Sequence, residues 1–323
     1  MDIIRWGMIG AGDVTEVKSG PAFQKIKGSH LVAVMRRDSE KVKDYAQRHG
    51  IAKWYTSVKE LIEDPEVNAI YIATPPDVHE AYTLMALQAG KPVYVEKPMA
   101  LSSIQAENMV EAVAQFGGKL TVAHYRREQP YFKKIKTLLE GNAIGVPRMV
   151  SLRTFKRPLT HQELTESKIQ WRVNPTQSGG GLFHDLAPHQ IDLMYYFFGE
   201  VDRASGISHN QAMVYSADDV VSGQILFRNN VLFNGSWAFN VAEDIDVCEI
   251  LGSEGKLTFS IFSNEPIELI NAQGRQLFSF DRLQHVQEPM IAAVVAYFQG
   301  KRDNPCSVLE GLKVMELMDA FTA

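Results

Sequence analysis

The sequence of 323 residues predicts an α/β protein in which a doubly wound parallel sheet is followed by an α+β domain on a largely antiparallel open sheet. Three observations lead to this fold class. The chain is longer than one hydrophobic core usually supports, so two domains are expected. Apolar strands alternate with amphipathic helices through about the first 140 residues, and the rest of the chain has period-2 strands separated by turns. We predict a first domain over residues 1–124 and a second over 125–323.

The strands of the first domain are continuous apolar runs, which are typical of a parallel sheet covered by helices on both faces. Amphipathic windows between these runs predict the covering helices. The predicted strands are residues 3–9, 31–35, 69–73, 92–95 and 120–123, and the predicted helices are residues 39–49, 78–89 and 104–116.

The second domain is predicted from hairpins. Asn229 and Asn230 join two period-2 runs in "GQILFRNNVLFNGSWAF", which is typical of two antiparallel strands. The stretch "EILGSEGKLTF" repeats this pattern around residues 253–255. One helix is predicted over residues 186–198, and two more close the chain over residues 286–299 and 307–322.

Composition excludes several classes of protein. The net charge is -5 and the basic residues are scattered, which argues against nucleic acid or an anionic membrane as a partner. No apolar run approaches the roughly 18 residues of a spanning helix, and the chain enters a core strand directly, without a leader peptide. Cys248 and Cys306 have no metal-type spacing, so we expect reduced, buried thiols and a cytoplasmic protein without a metal site.

A glycine turn follows the first strand and opens a helix with Phe23 and Ile26 on its apolar side. Glycines at Gly10 and Gly12 let the backbone approach a pyrophosphate closely, and helix amides meet its charge. Thr15 stands where a third glycine or alanine is usual, and the motif alone is often only a strand-to-helix turn. Its position at the first strand–helix junction favours a dinucleotide site of the Rossmann type, formed by Gly10, Ala11, Gly12, Asp13 and Val14.

The end of the second strand predicts which coenzyme binds. Arg36 and Arg37 follow this strand, with Lys41 one turn into the next helix, and planar guanidinium groups suit a ribose 2′-phosphate. NADP is therefore favoured. Two alternatives remain: a solvated basic strand end, and NAD bound through Asp38 on the ribose.

Four motifs in order, "GAGDV", "ATPPDVH", "EKP" and "GGGLFHDLAPHQID", resemble the Gfo/Idh/MocA family of nicotinamide-dependent sugar and polyol oxidoreductases over nearly the whole chain. The resemblance implies that Lys97 lies at the nicotinamide and that Glu96 and Pro98 shape its turn, often with a cis peptide before the proline. Physical reasoning agrees, because the carboxyl ends of parallel strands bind ligands and an ammonium there can stabilise alkoxide charge. The alternative is a surface salt bridge made by Glu96.

Asp185 and His189 are four residues apart, which places both side chains on one face of the predicted helix. Pro188 is expected in the first helical turn, where its missing N–H costs nothing. The family resemblance implies that His189 exchanges the hydroxyl proton with Lys97 nearby, and a carboxylate at Asp185 can orient the imidazole. Without the family, such a pair is more often structural.

Further site residues are predicted at strand ends and loops. The resemblance implies that Thr74 and Pro75 line the nicotinamide ribose, with His79 either beside them or on the surface. A Trp171–Arg172 pair matches one that faces the cleft in related sugar reductases, and Tyr125 and Arg126 leave the fifth strand where pockets commonly form. Each pair has packing or surface charge as its alternative. Trp237 suits a packed sheet position better than a sugar-stacking one.

These residues predict an NADP-dependent oxidoreductase, with NAD possible, that moves a hydride between nicotinamide and a secondary alcohol or ketone carbon of a sugar or polyol. Lys97, Tyr125, Arg126, Arg172, Asp185 and His189 are the predicted substrate contacts. Two alternatives are a redox-neutral glycoside hydrolase that retains its dinucleotide and a non-catalytic dinucleotide sensor. An open sheet exposes an apolar face, which predicts a homodimer or homotetramer.

Overall fold

The computed structural model describes all 323 residues and divides into two compact units. The first unit comprises residues 1–129 and 283–313, and the second comprises 130–282 and 314–323. Both cysteines are free and buried. None of the helices combines the length and the apolar character needed to cross a bilayer.

A six-stranded parallel sheet forms the centre of the first unit, in the order β3-β2-β1-β4-β5-β6. This is a doubly wound arrangement, in which the order of the strands reverses between β1 and β4. The strands are β1 Ile4–Ile9, β2 Ser29–Met35, β3 Lys53–Tyr55, β4 Ala69–Ile72, β5 Val93–Val95 and β6 Leu120–Val122. The helices are α1 Asp13–Val17, α2 Gly20–Lys25, α3 Ser39–Arg48, α4 Val58–Glu63, α5 His79–Gln88 and α6 Ser103–Phe116. The five predicted strands and three predicted helices are confirmed to within two residues, whereas β3 and α4 were not predicted.

The helix after the glycine turn differs from the prediction. It is broken into α1 and α2, because Pro21 at the start of α2 has no N–H to continue a helical ladder. Gly20 lies at the break, where a Cβ would come within 2.2 Å of the Thr15 carbonyl oxygen. Phe23 is buried as predicted, but Ile26 lies beyond the end of α2.

The second unit is built on a mixed sheet of eight strands, in the order β14-β13-β12-β11-β7-β10-β9-β8. Only the β7–β10 pair is parallel, so the predicted largely antiparallel sheet is confirmed. Both predicted hairpins are present, as β9–β10 and β11–β12. The strands are β7 Pro147–Phe155, β8 Val201–His209, β9 Val220–Phe227, β10 Leu232–Ala238, β11 Ile245–Gly252, β12 Gly255–Phe259, β13 Ile267–Asn271 and β14 Gly274–Phe278.

One long helix covers one face of this sheet. Its side chains pack on the sheet aromatics, for example Phe183 against Trp237 with ring centroids 5.1 Å apart. The helices of the later chain are α7 Pro130–Glu140, α8 His161–Thr165, α9 Ser167–Val173, α10 Pro175–Ser178, α11 Gly181–Phe198, α12 Glu288–Phe298 and α13 Val308–Thr322.

The predicted start of α11 is wrong by five residues, since the helix begins at Gly181. Pro188 is therefore inside the helix and not in its first turn. It has no N–H to donate to the carbonyl of His184, so one bond of the helical ladder is missing next to His189.

Candidate active site

The carboxyl ends of five strands in the first unit form one aligned edge. The β-sheet register pairs Met35 with Ile9, Ile9 with Ile72, Ile72 with Val95, and Val95 with Val122. The predicted site segments of this unit follow directly: the glycine turn, the two arginines, the Thr74 loop, the Lys97 turn and the Tyr125 segment. The structure therefore brings them to the edge where parallel sheets bind ligands.

The glycine turn has two glycines with different roles. Gly10 has a φ of +100°, and a Cβ there would lie 2.7 Å from the backbone of Ala73, so only glycine fits. A Cβ on Gly12 would meet only the Gly10 carbonyl oxygen, at 4.0 Å, so the space above Gly12 is open. Thr15 folds back onto Gly12, accepting from its N–H and donating to its carbonyl.

The two arginines after β2 have different environments. Arg36 is half-buried and donates from Nη1 to the carbonyl of Ala11 at 3.0 Å, which fixes it against the glycine turn. Arg37 is exposed. Asp38 accepts from the amides of Glu40 and Lys41, which makes its carboxylate the N-cap of α3. Lys41 also pairs with Asp38, at 3.4 Å.

His79 is fully buried and is not a surface residue. Its Nε2 lies 2.8 Å from the carbonyl of Thr74 and its Nδ1 lies 2.9 Å from the carbonyl of Pro98. The ring thus joins the loop after β4 to the turn after β5. Burial lowers the pKa of His79 to about 4. Beside it, the Thr74 Oγ1 atom is buried and has no hydrogen-bond partner.

The Lys97 turn has a buried carboxylate next to a half-buried lysine. Glu96 is 6% exposed and turns inward, where Tyr71 donates to its Oε1 at 2.6 Å. It is therefore part of the interior, contrary to the surface alternative. The peptide between Lys97 and Pro98 is cis.

His124 also follows β6 on the same edge, although the sequence did not predict it as a site residue. It is 2% exposed, and burial, reinforced by the charges of Arg127 and Lys97, lowers its pKa well below the usual range. A histidine directly after an apolar strand was the available signal. Tyr125 next to it is also buried, with the Arg126 guanidinium 5.5 Å from its ring centroid.

In the second unit, α9 and α11 bring three predicted residues together. Arg172 donates from Nε to Asp185 at 2.9 Å, and its guanidinium stacks 4.4 Å from the Trp171 ring centroid. A guanidinium and a carboxylate thus form a partly buried pair on the face of α11 that carries His189. Trp237 is fully buried and donates to Gln190 at 2.6 Å, which confirms the packed position.

His189 is 5% exposed and has Phe262 as an aromatic neighbour, with ring centroids 5.9 Å apart. Asp246 holds the loop of Phe262 by accepting from three successive amides, those of residues 261–263, at 2.7–3.1 Å. The sequence did not predict either residue, since a loop phenylalanine and a strand aspartate have no distinctive spacing. No cluster of three or more His, Cys, Asp or Glu side chains is arranged for a metal ion.

Comparison with known proteins gives two family matches. Residues 4–124 match the profile described as "Oxidoreductase family, NAD-binding Rossmann fold", and residues 132–258 match "GFO/IDH/MocA C-terminal domain". An oxidoreductase of Formosa agariphila is 46% identical over 98% of both chains. A 1,5-anhydro-D-fructose reductase of Ensifer adhaerens is 28% identical over 97% of this chain and 95% of its own.

A solved structure of levoglucosan dehydrogenase, in complex with NADH and levoglucosan, has the same fold. Its TM-score is 0.88, at 20% identity, and the match covers 98% of this chain and 95% of that one.

Proposed function

The chain belongs to the Gfo/Idh/MocA family of oxidoreductases, and from this premise we propose that it transfers a hydride between NADP and a secondary alcohol or ketone carbon of a sugar, polyol or derivative. The observation that carries the proposal is the position of Lys97. It follows β5 by two residues, on the edge that also carries the glycine turn. The sugar class is supported by the 1,5-anhydro-D-fructose reductase among the relatives.

The residues present fit a nicotinamide dinucleotide. The open space above Gly12 lets a pyrophosphate approach the backbone, and the unpartnered Thr74 Oγ1 offers a hydroxyl to a ribose or a carboxamide. When bound, the nicotinamide would supply or accept the hydride. Gly10, Ala11, Gly12, Asp13, Val14, Thr74 and Pro75 are the proposed backbone and loop contacts.

The chemistry of this chain's own residues follows from their charge. We propose that the Lys97 ammonium hydrogen-bonds the substrate oxygen and stabilises the negative charge that develops on it. His189 gives or takes the hydroxyl proton. Asp185 pairs with Arg172 and so stabilises the polar face of α11, on which His189 also lies.

The test is turnover with a panel of sugars, inositols and keto-sugars, each assayed with NAD and with NADP by absorbance of the reduced nicotinamide. Lys97→Met should lower kcat about 100-fold or more, because one transition-state donor is lost, while coenzyme binding is retained. Lys91→Met is the matched control, since Lys91 lies near the opposite end of β5 and donates to the Asp64 carbonyl.

Two results would contradict the proposal. Glycoside cleavage without a net absorbance change would indicate a redox-neutral hydrolase. Coenzyme binding with no turnover on any substrate, and no effect of Lys97→Met, would indicate a sensor.

NADP is proposed as the coenzyme because Arg37 is the exposed guanidinium at the end of β2, while Arg36 is bonded to Ala11 and Asp38 caps α3. Arg37→Asp should shift the ratio of kcat/KM for NADP over NAD at least tenfold toward NAD. The substitution removes a guanidinium that donates hydrogen bonds to the 2′-phosphate and adds a carboxylate that repels it. Arg228→Asp, at an exposed arginine of the second unit, is the control. An unchanged ratio would reject the role of Arg37.

We also propose self-association through the sheet of the second unit. Leu232, Met149 and Leu251 are aligned across β10, β7 and β11 and are each 38–40% exposed, so they form a continuous apolar row on the face opposite α11. Such a row favours burial against another copy. Light scattering should give a dimer or tetramer mass that Leu232→Arg lowers, and a monomeric mass for the unmodified chain would reject self-association.

A further inference from the structure

The buried carboxylate of Glu96 is held by residues that the proposed chemistry does not use. Gln287 donates from Nε2 to Glu96 Oε1 at 2.6 Å, and Tyr71 donates to the same oxygen. The other oxygen, Oε2, accepts from the backbone amide of Lys97 at 3.3 Å. The Glu96 carboxylate therefore joins the Lys97 turn to Gln287, which lies 191 positions after Glu96 and is 1% exposed.

Further hydrogen bonds fix the orientation of these groups. Because Gln287 donates to Glu96, its Oε1 is the acceptor for Tyr94, at 3.1 Å. Tyr71 has one hydroxyl hydrogen, so it donates to Glu96 and accepts from Ser19, whose Oγ is 3.0 Å away. Burial, reinforced by the Glu96 charge, raises the pKa of Tyr71 well above its usual value, so the donor is retained at all ordinary pH. Charge-assisted bonds of this kind are the strong ones in a protein interior.

The residues next to Gln287 are also hydrogen-bonded to the end of α1, the helix that follows the glycine turn. His285 is buried and its Nδ1 lies 2.6 Å from the carbonyl of Val17, while Lys25 donates to its Nε2 at 2.7 Å. A lysine donor at Nε2 requires the tautomer with hydrogen on Nδ1, which then donates to Val17. The backbone amide of Gln287 donates to the carbonyl of Lys18. Residues 285–287, which we call the strut, thus contact both α1 and the Lys97 turn.

We propose that Gln287 is a positioning residue for Lys97: it fixes the Glu96 carboxylate that holds the Lys97 amide, and the strut ties this turn to the glycine-turn helix. The inference rests on the proposed function, in which Lys97 touches the substrate. It adds a residue from the later chain that acts through Glu96 and contacts neither substrate nor coenzyme.

The first experiment measures the turn itself, without substrate or coenzyme. Gln287→Met removes both side-chain bonds but retains the backbone bond to Lys18. Hydrogen–deuterium exchange of a peptide covering residues 93–101 should become about fivefold faster or more, because a protected amide is released. Gln284→Met is the matched control, since Gln284 is exposed and its side chain accepts a hydrogen bond from Lys25 and not from the Lys97 turn. Equal exchange in the two variants would overturn the proposal.

A second variant covers the case in which Gln287→Met does not fold. Glu96→Gln is isosteric, keeps an acceptor for Tyr71 and Gln287, and turns an amide NH₂ toward the Lys97 N–H, where two donors repel. It should speed exchange of the same peptide. With substrate, each variant should lower kcat about tenfold or more while the coenzyme Kd changes less than about threefold, which is the pattern of a displaced catalytic group.

Two further outcomes separate this inference from the proposed function. Faster exchange with unchanged kcat would overturn the positioning role, even if Lys97→Met abolishes turnover. Full turnover of Lys97→Met would instead refute the proposed chemistry, and the exchange result would then decide only whether the strut holds the turn.

Discussion

At the scale of single residues, His79 combines two requirements that a neutral imidazole cannot meet together. Carbonyl oxygens of Thr74 and Pro98 lie at both ring nitrogens, but the neutral ring has one N–H. Burial lowers the pKa of His79 to about 4, so the ring is neutral at pH 7 and donates to one carbonyl only. The ring nitrogen that carries the hydrogen therefore determines whether His79 donates to the Thr74 loop or to the Pro98 turn.

We predict that His79→Leu lowers the free energy of unfolding by about 1–3 kcal/mol, because a buried carbonyl loses its donor. It should also lower turnover, since both loops carry proposed site residues. Urea unfolding and kcat measure the two effects. His30→Leu, at an exposed histidine of the same unit, is the control, and equal stability of the two variants would show that the bridge is not needed.

The sequence predicted the positions of site residues in the first unit better than their environments. Glu96 and Lys97 were placed correctly at a strand end, because an apolar run followed by "EKP" is local information. Whether Glu96 faces solvent or the interior depends on Tyr71 and Gln287, which are distant in sequence. A local sequence pattern does not show whether a hydrogen-bond donor from a distant part of the chain will be buried against it.

At the scale of elements, the turn between β1 and α1 allows a matched pair of substitutions. Gly12→Ala places a methyl group in open space at a φ of −138°, so the free energy of unfolding should change by less than about 0.5 kcal/mol. The methyl would occupy the space proposed for the pyrophosphate, and the coenzyme Kd should rise about tenfold or more.

Gly10→Ala is the contrasting change in the same turn. Its φ of +100° and the 2.7 Å approach to Ala73 predict a loss of about 1–3 kcal/mol or more of stability. Thermal unfolding and coenzyme titration by fluorescence give both quantities. Unaltered coenzyme affinity of Gly12→Ala would show that the pyrophosphate does not approach this glycine.

Element types were predicted well and element breaks poorly. Periodicity correctly predicted that α11 is a helix, but its predicted start was too late because Pro188 was expected in the first helical turn. The structure instead begins the helix at Gly181 and tolerates Pro188 inside it. In the same way, Pro21 divided a predicted helix, and β3, with three residues, was too short to show a period.

At the scale of the whole molecule, the parallel, doubly wound type of the first sheet follows from rules that need only element order. Alternation of strands and helices with right-handed crossovers leads to a doubly wound sheet. The grouping of residues 283–313 with the first unit was not predicted. An apolar helix such as α12 can pack on either unit, and the contacts that decide, such as the hydrogen bond from Gln287 to Glu96, are between distant residues.

Three of the buried histidines, His79, His124 and His184, give the whole molecule a predicted dependence of stability on pH. Burial lowers the pKa of His79 and of His184 to about 4 and that of His124 well below its usual range. Between about pH 6.5 and pH 4 the unfolded chain binds protons at these rings that the folded chain excludes, so the stability that the neutral rings contribute is fully present above this window and is lost as the pH falls through it. At about 1.4 kcal/mol per pKa unit, His79 alone contributes on the order of 3 kcal/mol to the loss.

The Glu16 carboxylate affects stability in a lower pH range. Hydrogen bonds from Arg48 lower the pKa of Glu16 to about 2, so the stability it contributes is lost only as the pH falls from about 4.5 toward 2. A decrease in Tm between pH 7 and pH 5 should therefore come from the histidines. His79→Gln should make this decrease smaller than in the unmodified protein, and His30→Gln, at an exposed histidine of the same unit, is the control. A Tm that stays constant from pH 7 to pH 5 would contradict the buried neutral state of these rings.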